Sequence, residues 1–101
     1  MNIPVQTAPT PIHENRTYVF NPCDIDLERP AGSAVPGQIV KVVAIPGQPA
    51  PGTFNNYQVV SLSGHYLGIV MGDSLYKVPK NYKVDRDGLP LTGPFHTELM
   101  S

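Results

Sequence analysis

The side chains able to serve as nucleophile or base are few: one thiol, Cys23, and three imidazoles, His13, His65 and His96. An unperturbed thiol is only slightly ionised near neutrality, so thiol catalysis needs a cation or imidazole beside it. Cys23 instead follows Pro22 and precedes Asp24, whose carboxylate disfavours the thiolate. A structural cysteine is the expectation, and no catalytic residue is assigned. Without a second cysteine the chain holds neither an internal disulfide nor a Cys-x-x-Cys motif.

Carboxylates offer two places for a metal. Asp24, Asp26 and Glu28 recur at period two, which on an extended segment puts all three on one face. Asp85-Arg86-Asp87-Gly88 resembles part of a calcium loop but lacks a third oxygen ligand and the closing glutamate. A solvated acidic loop accounts for the first and a hairpin turn for the second. The histidines show no ligand spacing, so neither a metal nor a cofactor is expected. Gly64, Gly68 and Gly72 fall in or between strands instead of leading into a helix, which excludes a phosphate cradle of the usual kind.

Lys41, Lys77, Lys80, Lys83 and Arg86 are the cations a nucleic-acid surface would use, the last four along one edge. Seven Lys+Arg stand against eight Asp+Glu, the formal net charge is -1, and charged residues make up 15% of the chain. That balance lacks the electrostatic footprint of a nucleic-acid or anionic-membrane binder, so nucleic acid ranks last and a membrane is not expected. Tyr18, Phe20, Tyr57, Tyr66, Tyr76 and Tyr82 are the richest remaining feature, combining flat apolar bodies with polar tips. Alternation places Phe20 inside and Tyr18 or Tyr82 at the surface.

The elements that must position these residues read as strands. Gln38 to Ile45 is rich in β-branched residues between two Pro-Gly turns, and both of its faces are apolar, which predicts a central strand. Three shorter runs, Tyr57 to Leu62, Tyr66 to Met71 and Leu75 to Val78, are separated by Gly64-His65 and Gly72-Asp73 and predict a meander. Arg16 to Phe20 and Tyr82 to Val84 read as further strands. No segment sustains helical periodicity for ten residues.

With 101 residues and 41% hydrophobic content, one small core is the limit. Prolines at 4, 9 and 11 make residues 1–15 an extended arm, residues 16–84 hold the apolar runs, and Pro90 and Pro94 keep 85–101 an edge strand or irregular tail. The expectation is an all-β chain: a small five- to six-stranded barrel with an extended proline-rich N-terminal arm and a C-terminal tail.

The order of segments resembles the Src homology 3 family. The nearest match is Val78-Pro79-Lys80-Asn81-Tyr82, similar to that family's hydrophobic-Pro-x-Asn-Tyr signature, with Tyr18-Val19-Phe20 resembling its opening strand and Asp24, Asp26 and Glu28 its acidic loop. The resemblance covers residues 16–84. It implies a barrel, and a groove for proline-rich peptides formed by Tyr18, Tyr57, Pro79, Asn81 and Tyr82. The family's groove tryptophan is missing here; Tyr57 or Phe54 would stand in its place.

The first functional expectation is a non-enzymatic structural or interaction protein within a larger assembly, such as a phage virion decoration or head-to-tail joining protein. Other protein chains are then the partners, in a homo- or hetero-oligomer. An extended proline-rich arm has little backbone freedom left to lose on docking, and Ile3, Val5 and Ile12 would be its apolar anchors. Binding of proline-rich peptides is the second reading and nucleic-acid contact the third. The start of the chain has neither the basic nor the apolar stretch of a signal peptide, which suits a virion or the cytoplasm.

Overall fold

The computed structural model describes residues 11–91. Six strands form one sheet: β1 (Thr17–Phe20), β2 (Ala31–Gly32), β3 (Ile39–Val42), β4 (Asn56–Ser61), β5 (Tyr66–Met71) and β6 (Leu75–Tyr76). Their order is β2-β5-β4-β3-β1-β6, and every pairing is antiparallel. A mostly β chain is as the sequence leads one to expect. The two end strands, β2 and β6, are not paired with each other, so the hydrogen-bonded ladder has two edges.

β3 lies between β1 and β4, and both of its faces are covered. On one face Tyr18, Phe20, Val40, Val42, Val59, Val70 and Leu75 form the main core, against which Ile12, Ala34, Tyr57 and Leu67 pack. On the other, Val19 and Ile39 are covered by Tyr76, Val78, Tyr82 and Val84. Successive strand residues point to opposite faces, so β1 and β3 must be apolar at consecutive positions to serve both clusters. The strand nevertheless stops at Val42: Val43 and Ile45 are only half-buried and Ala44 is exposed, although Val43 N still donates to Gln58 O at 2.9 Å.

Three sequence readings are corrected. Leu75–Tyr76 does not extend a meander from β5; it crosses to pair with β1, with Val19 opposite Tyr76 and Phe20 opposite Leu75. Gly72-Asp73 is not a hairpin turn but the start of a 3₁₀ turn, Gly72–Ser74, which carries the chain across the core instead of back along β5. Residues 82–84 are not a strand, since the turn through Asn81 (φ 64°) has Tyr82 N donating to Pro79 O at 3.1 Å, and only Val84 bridges, to Pro90.

A further correction concerns the acidic segment. Asp24–Glu28 folds as a short helix, α1, with Leu27 N donating to Cys23 O at 2.9 Å. Helical spacing splits the carboxylates that period two would have aligned: Asp26 turns inward while Asp24 and Glu28 stay exposed.

Packing continues on both sides of 16–84. Asn15 N donates to Val42 O at 2.7 Å, and Ile39 N donates to Gly88 O at 2.7 Å. The Asp85–Gly88 turn is held by Asp85 Oδ1, which accepts from Asp87 N at 2.8 Å and Leu89 N at 3.0 Å. Gly88 needs to be glycine twice over: its φ is +85°, and a Cβ there would strike the Ile39 carbonyl.

Candidate functional site

The apolar surface beside α1 is built on a polar latch. Asp26 is 8% exposed, and its Oδ2 accepts from Met71 N at 3.0 Å and from the Ser74 hydroxyl. Ser74 Oγ in turn accepts from Cys23 N at 2.9 Å, and Asn21 N donates to Ser74 O at 2.8 Å. The carboxylate thus exchanges water for two fixed donors, which makes its burial affordable on energetic grounds. The helix is oriented by that exchange.

With Asp26 inward, the apolar residues of α1 face out. Ile25 is 53% and Leu27 63% exposed, the reverse of an ordinary surface helix. Leu27 borders a pocket of about 200 Å³ whose wall also includes Phe20, Pro22, Pro30, Ala34, Pro36 and Ile69. Across Ile69 the same surface reaches the loop before β4, where Pro49, Ala50, Thr53 and Phe54 line a second, smaller hollow.

Phe54 stands at the tip of that loop, 89% exposed. Its backbone is left-handed (φ 53°, ψ 33°), as are Gly52 (φ 87°) and Asn55 (φ 62°). Such a conformation costs an L-residue roughly 1–2 kcal/mol, and a bulky aromatic is an uncommon occupant. The loop is fixed by Gln58, a buried residue whose Nε2 donates to Pro49 O at 3.3 Å while its Oε1 accepts from the Tyr66 hydroxyl at 3.3 Å.

The five residues assigned to a peptide groove fall into two groups. Pro79, Asn81 and Tyr82 share one turn, and the Tyr82 hydroxyl donates to Gly37 O at 2.6 Å. Tyr18 and Tyr57 belong to the main core on the opposite face of β1 and β3. Tyr18, expected at the surface as an alternative to Tyr82, is buried: its ring packs against core valines while its hydroxyl accepts from His13 N at 2.8 Å and donates to Pro11 O at 3.2 Å. A tyrosine can sit inside when its tip finds such partners. Ile12 is half-buried against its own chain's core. Ile3 and Val5 lie outside the described residues, as does His96.

Sequence reasoning missed the Asp26–Ser74 latch and the buried Gln38, whose Oε1 accepts from Val35 N at 3.1 Å while its Nε2 donates to Asp87 O at 3.2 Å. The signal for α1 was present: two acids open the segment, where they favour a helix N-terminus. Also unforeseen was the hydroxyl pair of the β4–β5 hairpin. Ser61 Oγ and Ser63 Oγ lie 2.9 Å apart, and Ser63 Oγ is 3.1 Å from His65 Nδ1. Because His65 N also donates to Ser61 Oγ at 3.1 Å, these groups close the hairpin.

Among the described residues no group of three His, Cys, Asp or Glu side chains could hold a metal, and no helix is long and apolar enough to cross a membrane. Comparison with protein-family models, curated proteins and solved structures finds no match.

Proposed function

We propose that this chain is a non-enzymatic subunit of a larger protein assembly, a small, partly open β-barrel that meets other protein chains through the apolar surface beside α1. The observation that carries this reading is the inverted helix: Asp26 is buried while Ile25 and Leu27 are both exposed, Leu27 at the edge of a proline-lined pocket. Burying a Leu or Ile side chain contributes about 1.5–3 kcal/mol, which this fold forgoes twice on one helix. A partner that covers the helix recovers it. Phe54 supports the same reading, because an exposed aromatic kept on a costly backbone fits an interface anchor. Within this reading, a virion decoration or head-to-tail joining role is the finer proposal.

The experiment is sedimentation of the native particle from which the chain is isolated. The chain should co-sediment with a particle far heavier than 11.0 kDa. The double variant Ile25→Ser, Leu27→Ser should remain folded and drop out of that particle. A native chain that runs as a monomer, or a folded double variant that incorporates normally, overturns the proposal.

A further inference from the structure

We propose that the cleft lined by His13, Arg16 and Lys77 binds the terminal phosphate of a phosphomonoester. This inference does not depend on the assembly role. The cleft has a volume of about 380 Å³, and Pro11, Thr17, Tyr18 and Val78 complete its wall. Three of its seven lining residues are basic and none is acidic, although the whole chain carries a formal net charge of -1. Glu14, the nearest acid in sequence, is exposed and is not part of the wall.

The basic groups are held in place by backbone. His13 and Arg16 sit at the two ends of one turn, closed by Arg16 N donating to His13 O at 3.3 Å and by the left-handed Asn15 (φ 67°). That turn is tied to the sheet at both ends: Asn15 N donates to Val42 O at 2.7 Å, Val42 N donates to Arg16 O at 3.1 Å, and His13 N donates to the Tyr18 hydroxyl. Lys77 arrives from the neighbouring strand, since the pairing of Val19 with Tyr76 puts the next position beside Tyr18. Among the described residues neither the Arg16 nor the Lys77 side chain has a hydrogen-bond or ion-pair partner.

Ligand class follows from charge and shape. A guanidinium offers a planar fork that matches phosphate oxygens, and an ammonium adds a point charge. Two permanent cations with an imidazole beside them suit a group carrying about -1.5 to -2 charges, as a phosphomonoester does, better than a singly charged carboxylate or phosphodiester. The Thr17 hydroxyl is a further donor, and the apolar wall leaves room for a small organic body next to the phosphate.

The test is amide NMR titration of the full chain at fixed ionic strength, with inorganic phosphate and phenyl phosphate as probes. Acetate and a short oligonucleotide without terminal phosphates are the contrasting ligands. Both phosphate probes should give saturable shifts confined to residues 11–18 and 76–78. Arg16→Gln and Lys77→Gln, both at exposed positions, should each weaken binding about fivefold or more, while Lys80→Gln leaves it unchanged. The proposal is overturned by shifts that stay linear or diffuse, by shifts that survive both substitutions, or by acetate or the oligonucleotide binding as tightly as phosphate.

Discussion

Ser74 shows how one hydroxyl can determine which surface a protein presents. It is fully buried, donates to Asp26 and accepts from Cys23 N, so it stands between the carboxylate and the start of α1. Replacing it with alanine takes one of the two donors from the buried Asp26 carboxylate and strands the Cys23 backbone donor at once. Hydrogen bonds to a charged group contribute about 1.5–3 kcal/mol, so Ser74→Ala should destabilise by about 2–3 kcal/mol in urea unfolding. Because the latch sets the orientation of α1, amide exchange in 24–28 should rise more than in β3 or β4. A loss under 0.5 kcal/mol would mean that the latch does not hold the helix. Tyr18→Phe asks a related question at milder cost. The ring keeps its packing while His13 N and Pro11 O lose a partner, and a loss of about 1 kcal/mol is expected.

Among the elements, those written in local pattern were legible and those set by distant partners were not. β3, β4 and β5 follow from β-branched runs between turn residues, and the prediction that β3 is central follows from its two apolar faces. α1 was missed because five residues are too short to show helical periodicity, and because its inward residue is an aspartate satisfied by Ser74, 48 positions away. β6 was misplaced because a glycine before an aspartate serves a hairpin or a 3₁₀ turn equally well, and the choice rests on what the next strand finds to pair with. For the candidate site, the acids and aromatics could be named, but their direction could not. The loop before β4 gives a prediction of its own. Glycine adopts a left-handed backbone without the Cβ penalty, so Phe54→Gly should leave stability unchanged or raise it by up to about 1 kcal/mol, read as a higher unfolding midpoint. A stabilised variant that no longer enters the native assembly would mark Phe54 as a residue kept for contact at the expense of stability. A loss above 1 kcal/mol would instead make Phe54 a packing residue of its loop.

At the scale of the molecule, the question is how much chain the two-sided sheet needs. The second cluster is closed by residues that follow β6, and the turn at 85–88 reaches β3 through Gly88 and Asp87. The main core is closed at one end by Ile12, and the segment holding it is bonded to Val42 and to the Tyr18 hydroxyl. Chains comprising 11–91, 16–91 and 11–84 would separate these contributions. Starting at 16 removes a half-buried isoleucine, a backbone bond to Val42 and both partners of Tyr18, together about 2–4 kcal/mol. Ending at 84 keeps Tyr76, Val78, Tyr82 and Val84 over Val19 and Ile39 but strands Ile39 N and the Gln38 amide, two buried donors, for a loss of similar size. Small domains are stable by only about 5–15 kcal/mol, so each shorter chain should still unfold cooperatively, with a midpoint roughly 10–25 °C below that of 11–91. The 16–91 chain should in addition lose the phosphate-dependent shifts at Lys77, because His13 goes with the deleted turn and Arg16, now the first residue, keeps only its bond from Val42 N. If 16–91 matches 11–91 in stability, the Tyr18 hydroxyl and Ile12 are satisfied as well by water as by the segment that covers them, and the fold's lower boundary is Arg16.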